Sequence, residues 1–151
     1  MKYQNLHSRR ARYGRLTVSL TADLDLIGHD FESIPIFCGT FRGNSHTICG
    51  VELTAAGSVQ GLFRYLTPEA VVKGLHVKGR VAPEGSQATV GGIAGENAGR
   101  IEACSFTGAV AGGEQVGGIA GCNTVTGVIE NCRMSGTVQG RHFAGGIVGE
   151  N

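Results

Sequence analysis

A glycine-rich block that recurs three times constrains the fold of this chain more than any other feature of the sequence. The block reads Val-Gly-Gly-Ile-Ala-Gly at 90–95 and at 116–121, and Phe-Ala-Gly-Gly-Ile-Val-Gly at 143–149. Its isoleucines, Ile93, Ile119 and Ile147, follow one another at intervals of 26 and 28 residues. A period of this length is typical of repeat proteins, in which each repeat forms one structural unit that stacks on the next.

A second run follows each of the first two glycine blocks. It reads Gly-Arg-Ile-Glu-Ala-Cys-Ser-Phe-Thr-Gly-Ala-Val at 99–110 and Gly-Val-Ile-Glu-Asn-Cys-Arg-Met-Ser-Gly-Thr-Val at 127–138. We interpret Gly61-Leu62-Phe63 followed by 72–81 as a more divergent copy of both parts. A weaker copy is expected at Gly39-Thr40-Phe41 followed by 48–53.

Alignment of the copies produces columns of apolar residues separated by polar ones. This period of two predicts short strands with one face inside and one outside. The predicted interior ladder consists of Leu62, Ile93, Ile119 and Ile147, of Val72, Ile101 and Ile129, and of Leu75, Cys104 and Cys132. Further columns are Val77, Phe106 and Met134, and Val81, Val110 and Val138.

These patterns predict an all-β fold, a right-handed parallel β-helix of about five coils. Glycine supplies 26 of the 151 residues, and we expect the repeat glycines to form corners with positive φ or to admit a closely approaching backbone. The repeat glycines are Gly92, Gly95, Gly118, Gly121, Gly146 and Gly149. A leucine-rich repeat has a similar period, but its regular leucine and asparagine pattern is absent.

The chain divides into three parts. Residues 1–15 are locally basic and are expected to be a frayed terminal segment. Residues 16–89 are predicted to form divergent coils, with 16–26 as the first strand or first coil and 27–47 as its irregular continuation. Residues 90–151 hold the glycine-rich repeats, the last of them incomplete, so we expect the natural protein to continue with further repeats or a cap.

The blocks Gly-Gly-Ile-Ala-Gly-Glu-Asn at 91–97, Gly-Gly-Ile-Ala-Gly-Cys-Asn at 117–123 and Gly-Gly-Ile-Val-Gly-Glu-Asn at 145–151 resemble the GLUG-motif repeat. Such repeats occur in bacterial adhesins and in non-catalytic regions of IgA-specific metallopeptidases. The resemblance implies a secreted or cell-surface location and no catalytic residue within the repeat. One departure is Cys122, which stands where the other two blocks have glutamate.

Enzymatic chemistry has few candidates in the sequence. The five histidines are scattered, which argues against a metal site, and we expect no cofactor. Asp23 and Asp25 alternate on one exposed face and are the one candidate carboxylate pair for a carbohydrate-active β-helix. The net charge of +1 gives no reason to expect nucleic-acid binding. No apolar run approaches the roughly 18 residues of a membrane span, so we expect no membrane insertion, and polar residues interrupt the stretch after the basic start, so we expect no signal peptide there.

The five cysteines include two, Cys104 and Cys132, that share an interior column. Their expected separation of about 4.8 Å would permit a disulfide, but parallel stacking keeps their Cβ atoms too far apart, so we expect free thiols. The pairing of Cys38, Cys49 and Cys122 stays open. On the outside, Lys73, Glu102 and Glu130 are expected to form a solvated column in which Arg100 or Arg133 shields the two glutamates.

The chain is therefore expected to be a non-catalytic repeat region that acts as an adhesive or spacer element. A host protein or a glycan is the expected kind of partner. Two alternatives stay open at this point: an accessory segment of a large secreted metallopeptidase, and a carbohydrate-active β-helix enzyme.

Overall fold

The computed structural model describes residues 16–85 and 88–151, and every regular element in them is a β-strand. The predicted basic segment, 1–15, lies outside the described residues. The strands are β1 (Thr17–Ser19), β2 (Leu24–Asp25), β3 (Ile34–Phe37), β4 (Thr40–Arg42), β5 (Thr47–Leu53), β6 (Val59–Gln60), β7 (Phe63–Leu66), β8 (Val71–Lys73), β9 (His76–Val81), β10 (Thr89–Gly91), β11 (Ala94–Asn97), β12 (Arg100–Glu102), β13 (Ser105–Ala111), β14 (Gln115–Gly117), β15 (Ala120–Asn123), β16 (Val128–Glu130), β17 (Arg133–Gln139), β18 (Phe143–Gly145) and β19 (Val148–Glu150).

The strands form four parallel sheets, and successive turns of the chain add one strand to each sheet. Sheet 1 contains β1, β4, β8, β12 and β16; sheet 2 contains β2, β5, β9, β13 and β17; sheet 3 contains β6, β10, β14 and β18; sheet 4 contains β3, β7, β11, β15 and β19. The described chain thus makes between four and five turns. The all-β parallel β-helix predicted from the repeats is confirmed.

The register between neighbouring turns brings equivalent residues of the sequence copies together. In sheet 1, Ile101 lies between Val72 and Ile129, and in sheet 2 Phe106 lies between Val77 and Met134. The side chains of Val72, Ile101, Val77 and Phe106 are fully buried. Burial of each such side chain stabilises the fold by roughly 1.5–3 kcal/mol, so the core is a set of apolar ladders along the axis.

The first turns fill the same interior with aromatic side chains. The ring centroid of Phe37 lies 5.3 Å from that of Phe63, and the centroid of Phe41 lies 5.6 Å from that of Phe63. All three rings are buried. The divergent sequence of these turns therefore preserves an apolar core with larger side chains.

Residues 16–26 belong to the first coil rather than to a single strand, because a turn after the buried Leu20 divides β1 in sheet 1 from β2 in sheet 2. Two other expectations for the N-terminal turns were wrong. Residues 27–47 are not irregular throughout, since they contain β3 and β4. Phe41 pairs with Val72 in sheet 1, so Gly39-Thr40-Phe41 is not the counterpart of Gly61-Leu62-Phe63. The sequence comparison placed this short, divergent copy by its glycine, Gly39. In the structure its apolar residue, Phe41, determines the match, because Phe41 pairs with Val72.

The corner between sheets 1 and 2 is formed by a column of residues with positive φ. We call this column the corner ridge; it consists of Asn44, Ser45, Gly74, Ala103 and Asn131, with φ values of 54°, 64°, 64°, 53° and 54°. Left-handed backbone is uncommon outside glycine, and asparagine adopts it more readily than most residues. Its recurrence on successive turns fixes where sheet 1 ends and sheet 2 begins.

All of the repeat glycines except Gly146 are explained by close approach rather than by positive φ. A Cβ atom on Gly92 would meet the ring of Phe106, and one on Gly118 would meet the side chain of Met134 and the carbonyl oxygen of Gly146. Neither glycine has a positive φ. Two reasons were expected for such glycines, a corner with positive φ and close approach of another turn. Only close approach applies to Gly92 and Gly118, because the stacked turns leave no room for a side chain.

The glycines at positions 118 and 146 provide a matched test of this explanation. Gly118→Ala should lower the free energy of unfolding by about 1–3 kcal/mol, because the added methyl group overlaps backbone and core atoms of the next turn. Gly146→Ala should have almost no effect, since a Cβ there has nothing within 4 Å. Thermal unfolding of both variants measures this difference, and equal shifts in melting temperature would contradict it.

Candidate functional site

The predicted ladder residues lie together in the interior and offer no chemistry to a ligand. Backbone hydrogen bonds of 2.9 Å run from Phe63 N–H to Ile93, from Ile93 N–H to Ile119, and from Ile119 N–H to Ile147. Leu62, Ile93 and Ile119 are buried, while Ile147 is half-buried. In the third column, Ser105 N–H donates to the carbonyl oxygen of Leu75 and Arg133 N–H donates to that of Cys104, so Leu75, Cys104 and Cys132 occupy equivalent places on successive turns. Binding groups must therefore be sought on the outer surface.

The repeat glycines, likewise, are packing positions. A Cβ on Gly95 would meet Val59 and the carbonyl oxygen of Arg64, and a Cβ on Gly121 would meet Thr89 and Val90. Gly149 occupies the equivalent place against Val116. These contacts are with side chains and backbone of the protein, so the structure gives these glycines no binding role.

The candidate carboxylate pair consists of two separately engaged groups. The carboxylate of Asp23 accepts hydrogen bonds from Thr47 N–H at 2.9 Å and interacts with the Nδ1 atom of His46 at 3.1 Å. These contacts, the Thr47 bond first, hold the pKa of Asp23 below its usual value. The carboxylate of Asp25 instead accepts a bond of 2.9 Å from Ile27 N–H. Both carboxylates therefore stabilise the first turns, and neither is arranged as a general acid.

The described histidines contact different partners. The Nδ1 atom of His76 lies 2.6 Å from the hydroxyl oxygen of Ser105, and the Nε2 atom of His142 lies 3.9 Å from a carboxylate oxygen of Glu114. Within residues 16–85 and 88–151, no three His, Cys, Asp or Glu side chains are grouped so that they could hold a metal ion.

An asparagine ladder was missed in the sequence. The side-chain amide of Asn97 donates to Asn123 Oδ1 at 2.9 Å, and that of Asn123 donates to Asn151 Oδ1 at 2.8 Å. Asn97 is fully buried, and its Oδ1 accepts a bond from Gly99 N–H. The signal was present, because the three asparagines recur with the glycine blocks. The ladder satisfies buried polar groups at the turn between sheets 4 and 1.

Of the two arginines expected to shield the glutamates in the outer column of sheet 1, Arg100 forms an ion pair with Glu130. Glu102 lies in register between Lys73 and Glu130. The ion pair is exposed to solvent, so its contribution to stability is small.

The two cysteines of the interior column are free thiols that interact with each other. Cys104 is buried and Cys132 is half-buried. Interaction with the neighbouring Cys104 thiol lowers the pKa of Cys132 to about 7, and the same interaction, together with burial, raises the pKa of Cys104. Burial also raises the pKa of Cys49 and Cys122. Cys132 is therefore the more acidic thiol of the pair.

Comparison with known proteins identifies the repeats. The model of the GLUG motif matches residues 86–111 and 112–139. This chain carries GLUG repeats. The matched ranges contain the second and third turns of the Gly-Gly-Ile ladder, in which Ile93 hydrogen bonds to Ile119. No curated protein matches the chain.

A solved structure is similar to most of the chain. It is the crystal structure of a candidate immunoglobulin A1 protease from Bacteroides ovatus, with a TM-score of 0.72 and 27% sequence identity. The match covers 91% of this chain and 47% of the other, so the GLUG-repeat chain spans about half the length of that relative. Among the described residues, no helix is long and apolar enough to cross a membrane.

The pair of thiols makes a testable prediction about reactivity. Because the thiolate is the reactive form, alkylation of Cys132 by iodoacetamide should reach half of its maximal rate near pH 7. Buried Cys104 should stay unmodified in the folded chain. Mass spectrometry of the peptide that contains each cysteine follows the two rates separately.

Two substitutions of Cys104 serve as a matched control. Cys104→Ala removes the neighbouring thiol and should move the midpoint for Cys132 toward the ordinary thiol value of about 8.5. Cys104→Ser retains a donor and should shift it less. A midpoint that is the same in all three proteins would show that the contact between the thiols has no effect on Cys132.

Proposed function

We propose that this chain is a non-catalytic β-helix region of a bacterial surface or secreted protein, with an adhesive lateral surface. The observation that carries the proposal is the in-register stack, which places outward side chains of successive turns in columns along one surface. Parallel strands of neighbouring turns lie about 4.8 Å apart, so such columns can meet a repeating or extended ligand. The proposed partners of this surface are host proteins and host glycans.

The engagement of the polar groups supports a binding role over catalysis. Asp23 and Asp25 contact separate partners, and His46 and His142 lie beside different carboxylates. A carbohydrate-active enzyme would need a pair of carboxylates about 5–9.5 Å apart around a sugar. No observation favours that alternative, and we do not propose it.

A second candidate function is favoured by the relative from Bacteroides ovatus. That protein is a candidate immunoglobulin A1 protease, and this chain matches about half of it. A β-helix region could then serve as an accessory segment that spaces or presents a protease domain. The two functions differ in whether the region alone binds a host surface.

Adhesion can be tested with the chain itself. Beads coated with the protein should be retained on a mammalian epithelial monolayer several-fold more than beads coated with albumin, because the lateral surface is present in the isolated coils. Beads coated with Ile119→Asp should lose retention, since a charge in the fully buried ladder costs several kcal/mol and unfolds the stack. Counting retained beads after washing gives the result.

The matched variant is Ile147→Asp, in which the substituted side chain is only half-buried. It should unfold less and retain more beads than Ile119→Asp. Wild-type beads that wash off as albumin beads do would show that this region has no adhesive role, and the accessory role would then be the better account.

A further inference from the structure

A polar depression of about 470 Å³ lies on the sheet 2 side of the corner ridge. Its rim carries the imidazole of His76, the hydroxyls of Ser105, Thr107 and Ser135, and the guanidinium of Arg133. The corner-ridge residues Ala103 and Asn131 close one side. No aspartate or glutamate lines it.

A second depression, of about 490 Å³, lies on the sheet 1 side of the same ridge. It is lined by Arg42, Lys73, Glu102 and the ridge residues Asn44, Ser45, Gly74 and Ala103. Ala103 lines both depressions, so they meet at the ridge. An extended ligand that crosses the ridge would contact both.

The cations around the ridge outnumber the one carboxylate there, that of Glu102, which lies in register beside Lys73. Arg42 and Lys73 are register partners on neighbouring turns, which places two like charges side by side. Neither they nor Arg133 form an ion pair with another described residue. The linings contain these three cations and one carboxylate, that of Glu102, whereas the whole chain has a net charge of only +1. Adjacent like charges destabilise a sheet unless an anion lies between them, which indicates an anionic ligand.

The uncharged groups indicate what kind of anion this is. Hydroxyl and amide groups from Ser45, Asn44, Ser105, Thr107 and Asn131 line the depressions, and these groups pair with sugar hydroxyls in both directions. The side chain of Phe106 beneath them is fully buried, so the side chains that a ligand meets there are mainly polar ones. Guanidinium and ammonium groups match the sulfates or carboxylates of acidic sugars.

We propose that the two depressions form one binding surface for an acidic polysaccharide that crosses the corner ridge. Arg133 binds an acidic group on one side of the ridge, Arg42 and Lys73 bind an acidic group on the other, and the hydroxyl and amide groups bind the sugar rings between. The inference rests on the proposed adhesive function and assigns it a ligand class and a place on the surface.

The test measures binding of fluorescently labelled oligosaccharides to the chain by anisotropy. Chondroitin sulfate should bind, and neutral dextran should not. Hyaluronan carries carboxylates but no sulfates, so comparing it with chondroitin sulfate distinguishes recognition of sulfate from recognition of carboxylate. Arg133→Ala and Lys73→Ala should each weaken binding of the acidic oligosaccharide by about tenfold, the size of one charge-assisted contact. Binding should also weaken as salt is raised.

Two further variants make the result specific. Arg80→Ala is the matched control, because Arg80 is an exposed arginine of sheet 2 that contacts Glu52 at 3.7 Å and lines neither depression; it should leave binding unchanged. Glu102→Gln removes the carboxylate from the lining and should tighten binding several-fold, a gain that an unfolded variant could not show.

Several results would overturn the inference. They are equal losses for Arg80→Ala and Arg133→Ala, binding of dextran as tight as that of chondroitin sulfate, or binding of polyglutamate as tight as that of either acidic sugar, which would indicate an acidic peptide instead.

Coated beads separate this inference from the proposed function. Bead adhesion of wild type, with oligosaccharide binding unchanged in Arg133→Ala and Lys73→Ala, would sink the polysaccharide site and leave adhesion standing, whereas chondroitin sulfate binding without bead adhesion would sink only the adhesive role.

Discussion

The structure depends on one constraint, which is that each turn hydrogen bonds to the next in parallel and in register. Parallel strands are held about 4.8 Å apart, so strand residues of one turn meet their equivalents on the neighbouring turns, apart from the register shift between Ile48 and Val51. An inward apolar side chain therefore stabilises the core only if the equivalent residues on the neighbouring turns are also apolar, as with Val72, Ile101 and Ile129. The constraint converts a repeated sequence into continuous ladders along the axis.

The same constraint determines where polar chemistry can lie. Inside, a polar residue is tolerated when its equivalent on the next turn satisfies it, as Asn123 does for Asn97, or when it donates to a nearby carbonyl, as the thiols of Cys104 and Cys132 do. Outside, stacking brings like charges together, as at Arg42 and Lys73. Such a surface gains little stability for the fold, and it suits an extended ligand that supplies the opposite charge at matching intervals.

The sequence predicted the fold because its repeats are similar enough to be aligned with one another directly. Ile93, Ile119 and Ile147 lie in recognisable blocks, so the period and the ladder could be read from spacing. The N-terminal turns could not be placed in the same way, since Phe41 stands where later turns have valine or isoleucine, and the turn after Leu20 has no glycine or proline to mark it. The corner ridge was also hidden, because Ala103 gives no sign in the sequence of a positive φ. The depressions beside the ridge depend on residues from separate turns and so needed the register first.

The register between turns is tested most directly by nuclear Overhauser effects between isoleucine methyl groups in a methyl-labelled protein. The structure predicts cross-peaks between Ile93 and Ile119, between Ile119 and Ile147, and between Ile101 and Ile129, because the members of each pair occupy equivalent places on neighbouring turns. Ile93 and Ile147 are two turns apart, about 9.6 Å, and should give no cross-peak or a much weaker one. Absence of the three neighbouring cross-peaks in a folded sample, or cross-peaks that join Ile93 to Ile129 instead, would contradict the in-register stack.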